Sequence, residues 1–306
     1  MALQVTWFPN CGFCIGITTH HAAVDGKIST SFVKSWAHVC KLGGDSPPAE
    51  MTPFYDRTVI KDSTGLDAIF VNDWLNLIGP NSRSLMVWEL KVPPGAIRGT
   101  FELTRASLEK LRQMVLSKKE EKSKHEHEIH VSTFSLTCAY MWVCLVKAQR
   151  PRKNKMRFVF SVDCRSRLEP PIPPTYFGNC IAGHLAFAET QGLLGEDGVA
   201  VAVDAMSEAM GRLREGCLNG AEGWISLLST VEERAIAAAG SPRFEVYGSD
   251  FGWGRPRKVE MTSIDRTGAF CLAESRNGSG GVEIQLVLKK QEMEDFSRLF
   301  YEGLEI

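Results

Sequence analysis

The chain has 306 residues, 44% of them hydrophobic and 23% charged, which reads as an ordinary globular protein of one large or two smaller domains. A formal net charge of -1 supplies no field that would hold nucleic acid or an anionic membrane, so neither is expected as a partner. No apolar run approaches the ~20 residues that a membrane-spanning helix needs.

Taken in chain order, residues 1–45 read as strand, turn and helix. Leu3 to Phe8 and Ile15 to Thr18 alternate and are β-rich, and they bring a strand up to His20-His21-Ala22-Ala23-Val24-Asp25-Gly26. Gly26 lets the chain turn sharply, and Phe32, Trp36 and Val39 then recur at helical spacing. A histidine at such a turn, four residues ahead of an aspartate, suits a general base that works near neutral pH. The plainer reading of the same residues is a histidine that packs or hydrogen-bonds at a strand end. The nine cysteines are odd in number and scattered, as expected of reduced thiols in the cytoplasm. Cys11-Gly12-Phe13-Cys14 reads as a turn rather than a redox pair, which would open a helix, or half a zinc site, which lacks its second pair.

Residues 46–100 are rich in Pro, Asp and Asn, with short apolar pieces such as Leu85-Met86-Val87-Trp88. Thr104 is a good N-cap for a helix whose buried stripe is Leu108, Leu111 and Val115. The polar tract Ser117 to His127, with His125, His127 and His130, is read as a solvated loop; nothing fixes its geometry for a metal, and no metal site is expected. Ser132 to Val146 reads as a core helix capped by Ser132 or Thr133. Met156 to Val162 reads as a buried strand running into Asp163-Cys164-Arg165-Ser166-Arg167. If that stretch stays extended, Asp163, Arg165 and Arg167 project to one side, and at least one arginine needs a carboxylate partner. Pro170 to Pro174 is a stiff connector into Tyr176-Phe177-Gly178-Asn179-Cys180, and the Ala- and Glu-rich residues 197–239 should be helical. Asp250-Phe251-Gly252-Trp253-Gly254 follows. Ala269 to Glu274 and Val282 to Leu288 then flank Asn277-Gly278-Ser279-Gly280-Gly281, a hairpin signal. A last amphipathic helix carries Met293, Phe296, Leu299 and Phe300. The sum is an α/β chain of mixed sheets without internal repeats.

The elements His21-Ala22-Ala23-Val24-Asp25-Gly26 and Asp250-Phe251-Gly252-Trp253-Gly254, in this order and spacing, resemble the motifs of the plant BAHD acyltransferases. That family transfers an acyl group from coenzyme A to a hydroxyl or amine. Tyr176 to Cys180 is similar to the mark of the branch that malonylates anthocyanins and other phenolic glucosides. The resemblance runs from about residue 2 to the C-terminus. It implies a chloramphenicol-acetyltransferase-like two-domain fold of mixed sheets with flanking helices. On that reading residues 1–50 are a remnant of the N-terminal domain, 51–100 the crossover segment and 101–306 the C-terminal domain. Family members are about half as long again, so the N-terminal domain is expected to be truncated.

The resemblance also implies a chemistry. A thioester is already activated, so transfer needs a base for the acceptor hydroxyl and a donor for the oxyanion, without a cysteine or serine nucleophile. His21 matches the family base, leaving His20 to pack inside, and Trp253 is the expected oxyanion donor through its indole N–H. Asp25 either orients the imidazole, as in a triad, or turns away to an arginine; the resemblance favours an ion pair with Arg165, or with Arg167 if the register differs. Gly26, Asp250, Gly252 and Gly254 are expected to shape loops, and Tyr176 to Cys180 to begin a strand. Thr133 matches a stretch that contacts coenzyme A, and Lys27 either meets the malonyl carboxylate or is a solvated surface lysine. The implied co-substrate is malonyl-CoA, with hydroxycinnamoyl-CoA the nearest competing donor and no bound cofactor. The implied acceptor is a sugar hydroxyl of a phenolic, flavonoid or anthocyanin glucoside, acted on by a monomer. The competing expectation is a non-catalytic remnant whose opened sheet exposes apolar surface.

Overall fold

The computed structural model describes residues 1–44, 46–81, 91–122, 131–229 and 235–305. Leu85 to Trp88 and the histidines 125, 127 and 130 lie outside the described residues. The chain divides into two compact units, the first made of Met1–Lys61, Asp163–Ile181 and Val246–Arg257, and the second of the remainder.

In the first unit, β1 (Ala2–Phe8) and β2 (Gly12–Thr18) form an antiparallel hairpin that pairs Leu3 with Ile17, Val5 with Ile15 and Trp7 with Phe13. The period of two therefore gathers these six apolar side chains on one face. That face is open, with Val5 and Trp7 each 68% exposed. Cys11 sits in the hairpin turn, its N–H donating to the Phe8 carbonyl, and both Cys11 and Cys14 are free thiols. Helix α1 (Gly26–Leu42) follows, capped at its N-terminus by the Asp25 side chain and ended by Gly43 at φ +61°.

The second unit opens with α2 (Leu66–Ile78), a helix that the Pro-, Asp- and Asn-rich composition of residues 46–100 conceals. Its start is made by Asp62, whose two carboxylate oxygens accept the N–H groups of Leu66 and Asp67. Next come β3 (Ala96–Leu103), α3 (Arg105–Lys122) and α4 (Thr133–Gln149). Thr104 caps α3 through the Ser107 N–H, and Leu108, Leu111 and Val115 are buried. Helix α4 is buried all round from Ser135 to Val146, which makes it the centre of the core rather than a surface helix. The elements β4 (Lys155–Asp163), β5 (Ile181–Glu189), α5 (Thr190–Leu194), α6 (Gly198–Gly211) and α7 (Trp224–Ser229) follow. Then come β6 (Ile236–Gly240), α8 (Ile264–Thr267), β7 (Phe270–Glu274), β8 (Val282–Lys289) and α9 (Lys290–Glu302).

The strands form one mixed sheet in the order β3-β8-β7-β6-β4-β5, parallel at β4/β6 and β6/β7 and antiparallel at β7/β8 and β3/β8. Helices α4, α6 and α9 pack together beside it, with Trp142, Phe158, Phe270, Phe296 and Phe300 in one core. Residues 236–240 correct the expectation of helix through 239. Ile-Ala-Ala-Ala-Gly has helix-favouring alanines, but it runs parallel between β4 and β7 and its ladder bonds override local propensity.

Candidate active site

Strand β2 ends at Thr18, and the chain turns through residues 20–25 into α1. His20 builds that turn: its Nδ1 accepts the Ala22 N–H at 3.1 Å and its carbonyl accepts the Ala23 N–H at 3.0 Å. This corrects the expectation that His20 packs inside. It is exposed, because its ring serves as a local backbone acceptor. His21 is also exposed, and its ring makes no hydrogen bond among the described residues. Its carbonyl accepts a 2.6 Å hydrogen bond from Asn179 Nδ2.

Asp25 has both carboxylate oxygens occupied. Oδ1 accepts the Ile28 N–H at 3.0 Å as the cap of α1, while Oδ2 accepts Arg165 Nη2 at 2.8 Å and the Cys180 N–H at 3.0 Å. The His21 imidazole is not among its partners, so the carboxylate is spent on the arginine rather than on the histidine. Arg165 is 1% exposed and Asp25 2%. Arg165 Nη2 also donates to the Tyr176 and Gly178 carbonyls, at 3.2 and 2.8 Å, and its Nη1 to Asp163 Oδ1 at 2.9 Å. Four polar acceptors thus surround one buried guanidinium, whose planar fork suits such a site.

Strand β4 stops at Asp163, and the next residues turn back, with the Arg167 N–H donating to the Cys164 carbonyl. The extended row of Asp163, Arg165 and Arg167 is therefore broken: Arg165 is buried and Arg167 is exposed. Lys27 Nζ lies 2.9 Å from Asp163 Oδ2. Lys27, Asp163, Arg165 and Asp25 form a chain of alternating charge with a net of zero. Burial on its own would raise the Asp163 pKa. The hydrogen bonds from Lys27 and from the Arg165 backbone and guanidinium outweigh it and hold the carboxyl below its ordinary value of 3.8.

A depressed folded-state pKa contributes stability that is complete above the unfolded value and is lost as pH falls through the folded value. Acid unfolding monitored below about pH 4 should therefore be shallower in Asp163→Asn, although that variant starts less stable at pH 7. An unchanged acid limb would show that Asp163 titrates alike in both states.

The segment from Asp250 to Gly254 is a closed loop. Asp250 Oδ1 accepts the N–H groups of both Gly252 and Gly254 at 2.9 Å, and Oδ2 accepts Lys41 Nζ at 2.6 Å. The Lys41 ammonium and then the Gly252 N–H hold the Asp250 carboxyl below its ordinary range. Gly252 and Gly254 have φ of +103° and +94°, backbone that other residues rarely adopt. The Phe251 ring meets Trp36 of α1 edge-on at 4.9 Å, and Trp253 stacks on Phe251 and meets the edge of Phe13. Trp253 is 72% exposed.

In the second unit, Thr133 is the exposed first residue of α4, and the cap is Ser132, whose Oγ accepts the Ser135 N–H. Sequence reasoning singles out Asn179 and Cys180 only as part of the Tyr176–Cys180 element and gives neither a contact of its own. An asparagine after glycine signals a turn, and no periodicity says that its amide reaches a segment far away in the chain. No group of three or more His, Cys, Asp or Glu side chains that could hold a metal occurs among the described residues. Nor is any helix among them long and apolar enough to cross a membrane.

The model of the Transferase family matches residues 1–302. The chain is 40% identical over 324 residues to phenolic glucoside malonyltransferase 1 of Arabidopsis thaliana, an alignment covering 100% of this chain and 68% of that protein. It is 36% identical over 321 residues to agmatine coumaroyltransferase of Arabidopsis thaliana, covering 99% of this chain and 68% of that one. The crystal structure of vinorine synthase superposes with a TM-score of 0.67 at 21% identity, covering 96% of this chain and 63% of that one, a likeness of fold.

Proposed function

The chain belongs to the Transferase family, the BAHD acyltransferases, and on that premise we propose that it transfers malonyl from malonyl-CoA to a sugar hydroxyl of a phenolic, flavonoid or anthocyanin glucoside. The 40% identity to phenolic glucoside malonyltransferase 1 of Arabidopsis thaliana supports the donor and acceptor, and the observation that carries the choice of base is the division of labour at the turn. Asp25 is locked into a buried pair with Arg165, while the His21 ring, four residues earlier, stays exposed and makes no hydrogen bond among the described residues.

In this reading the His21 imidazole takes the proton of the acceptor hydroxyl as its oxygen attacks the thioester carbonyl. The tetrahedral oxyanion then collapses, the C–S bond breaks, and the imidazolium returns the proton to the departing thiolate. Trp253 is assigned the oxyanion through its indole N–H, carried on the loop that Asp250 closes. Thr133, exposed at the start of α4, is assigned to the coenzyme A side. Lys27 is engaged by Asp163 and receives no role with the donor carboxylate. Residues 1–50 and 101–306 are read as parts of the two acyltransferase domains, joined through 51–100, and the protein as a cytoplasmic monomer.

The likeness to agmatine coumaroyltransferase supports a second reading within the same chemistry, a hydroxycinnamoyl donor. The purified chain, incubated with malonyl-CoA or p-coumaroyl-CoA and a panel of phenolic glucosides and amines, separates them by product mass. A glucoside heavier by one malonyl group is expected; a coumaroyl product would transfer the assignment to the other donor. No product from soluble, monodisperse protein would overturn the catalytic reading. Removing one oxyanion donor from a buried site costs about 10²–10³ in kcat. Because Trp253 is largely exposed, Trp253→Phe should lower kcat by less than that range, and an unchanged kcat would remove the indole from the mechanism.

A further inference from the structure

Tyr176 to Cys180 resembles a family mark, yet the chemistry above gives it no task. Its hydrogen bonds supply one. The segment grips the turn from His21 to Asp25 at both ends: Asn179 Nδ2 donates to the His21 carbonyl at 2.6 Å, and the Cys180 N–H donates to Asp25 Oδ2 at 3.0 Å. Arg165 Nη2 ties the same two segments together a third time, bonding Asp25 on one side and the Tyr176 and Gly178 carbonyls on the other.

The grip is itself braced. Phe177 N–H donates to the Phe54 carbonyl at 2.8 Å and the Phe54 N–H to the Thr175 carbonyl at 3.0 Å. Arg57 donates to the Phe177 carbonyl and stacks over the Tyr176 ring at 4.9 Å. A Cβ at Gly178 would lie 2.6 Å from Arg57 Nη1 and 3.0 Å from Tyr176 Cε1, so a side chain there would have to displace the arginine from this position. Backbone at residue 25 is fixed by burial. Backbone at residue 21 is exposed, and among the described residues the amide of Asn179 is the side chain that holds it.

We infer that Asn179 is the positioning residue for His21, and that the Tyr176–Cys180 segment is a clamp that aims the imidazole from behind through its own carbonyl. The inference rests on the reading of His21 as the base. Asn179 touches no reacting atom; it narrows the range of backbone conformations from which the ring is presented.

The test compares wild type, Asn179→Ala, the isosteric Asn179→Asp, His21→Ala and the double variant of His21→Ala with Asn179→Ala. Hydrogen exchange of the peptide spanning residues 19–26 needs no activity. It should quicken about tenfold in both Asn179 variants, the scale of one hydrogen bond, while α4 and α9 keep their wild-type rates. In the acylation assay, kcat should fall about tenfold with KM for acyl-CoA and acceptor unchanged, and the double variant should be no slower than His21→Ala alone. Wild-type exchange at 19–26 in both Asn179 variants would overturn the inference whether or not turnover is seen. So would a lowered Tm with wild-type kcat, which marks a merely structural contact. Full activity in His21→Ala would instead sink the base assignment, and the exchange result would then report a turn without a catalytic charge.

Discussion

His21→Ala is expected to lower kcat/KM for acyl transfer by about 10²–10⁴-fold, the range that a positioned general base contributes, and to leave stability within about 0.5 kcal/mol. The two halves of this prediction have separate grounds. The rate half follows from the proposed acceptor, since a sugar hydroxyl is unreactive at neutral pH until a group within hydrogen-bond reach takes its proton. The stability half follows from exposure: the His21 ring is solvent-facing and makes no hydrogen bond among the described residues, and the anchor to Asn179 uses the backbone carbonyl, which alanine retains. His20→Ala supplies the contrast. His20 Nδ1 accepts the Ala22 N–H, so its loss should loosen the turn and lower Tm, with a smaller fall in rate. Steady-state kinetics beside thermal melts would decide. Comparable rate losses in both variants, or a His21→Ala protein that turns over normally, would end the assignment of His21 as base.

The parts of the fold that were legible in the sequence are those whose signals are local. Thr104 and Ser132 each stand at a helix start and bond an N–H three residues on, so caps and stripes locate α3 and α4 without reference to the rest of the chain. Asn277-Gly278 likewise marks the hairpin that joins β7 to β8. Strand β6 was hidden because three of its five residues are alanine, and only its place between two parallel neighbours makes it a strand. Helix α2 was hidden because its N-cap is Gly65 and the carboxylate that accepts its first N–H groups, Asp62, stands three residues earlier in a stretch that composition marks as loop.

The candidate site divides in the same way. That one arginine after Val162 needs a carboxylate follows from charge and burial, but the choice between Arg165 and Arg167 depends on where β4 ends, and a turn beginning at Cys164 decides it. The bond from Asn179 joins residues 158 apart in the chain, and no spacing in the sequence encodes such a contact.

Arg165→Ala should destabilise the first unit by about 3–5 kcal/mol, the cost of breaking a buried ion pair by removing one partner. Against a total stability of about 5–15 kcal/mol that is enough to unfold many domains. The size comes from what the substitution strands. Asp25 would keep its carboxylate at 2% exposure with only the Ile28 and Cys180 N–H groups to solvate it, and the Tyr176 and Gly178 carbonyls would each lose a charged donor. Asp25→Ala should be severe for the converse reason: it leaves the buried guanidinium with Asp163 alone as counter-charge and removes the cap of α1, itself worth about 1 kcal/mol.

The two variants share these contacts, so their effects should not add. Asp25→Ala combined with Arg165→Met should lose less than the sum of its single changes, because a methionine asks for no acceptor. It should still not regain wild-type stability, since Asp163 and the two carbonyls were arranged for the arginine. Hydrogen exchange of peptides from α1 and from residues 163–181, read as a function of urea, measures each change where it acts. An Arg165→Ala protein within 1 kcal/mol of wild type would mean that desolvation of the pair cancels its attraction. The turn bearing His21 would then be held by Asn179 and the Cys180 N–H rather than by the charges beneath it.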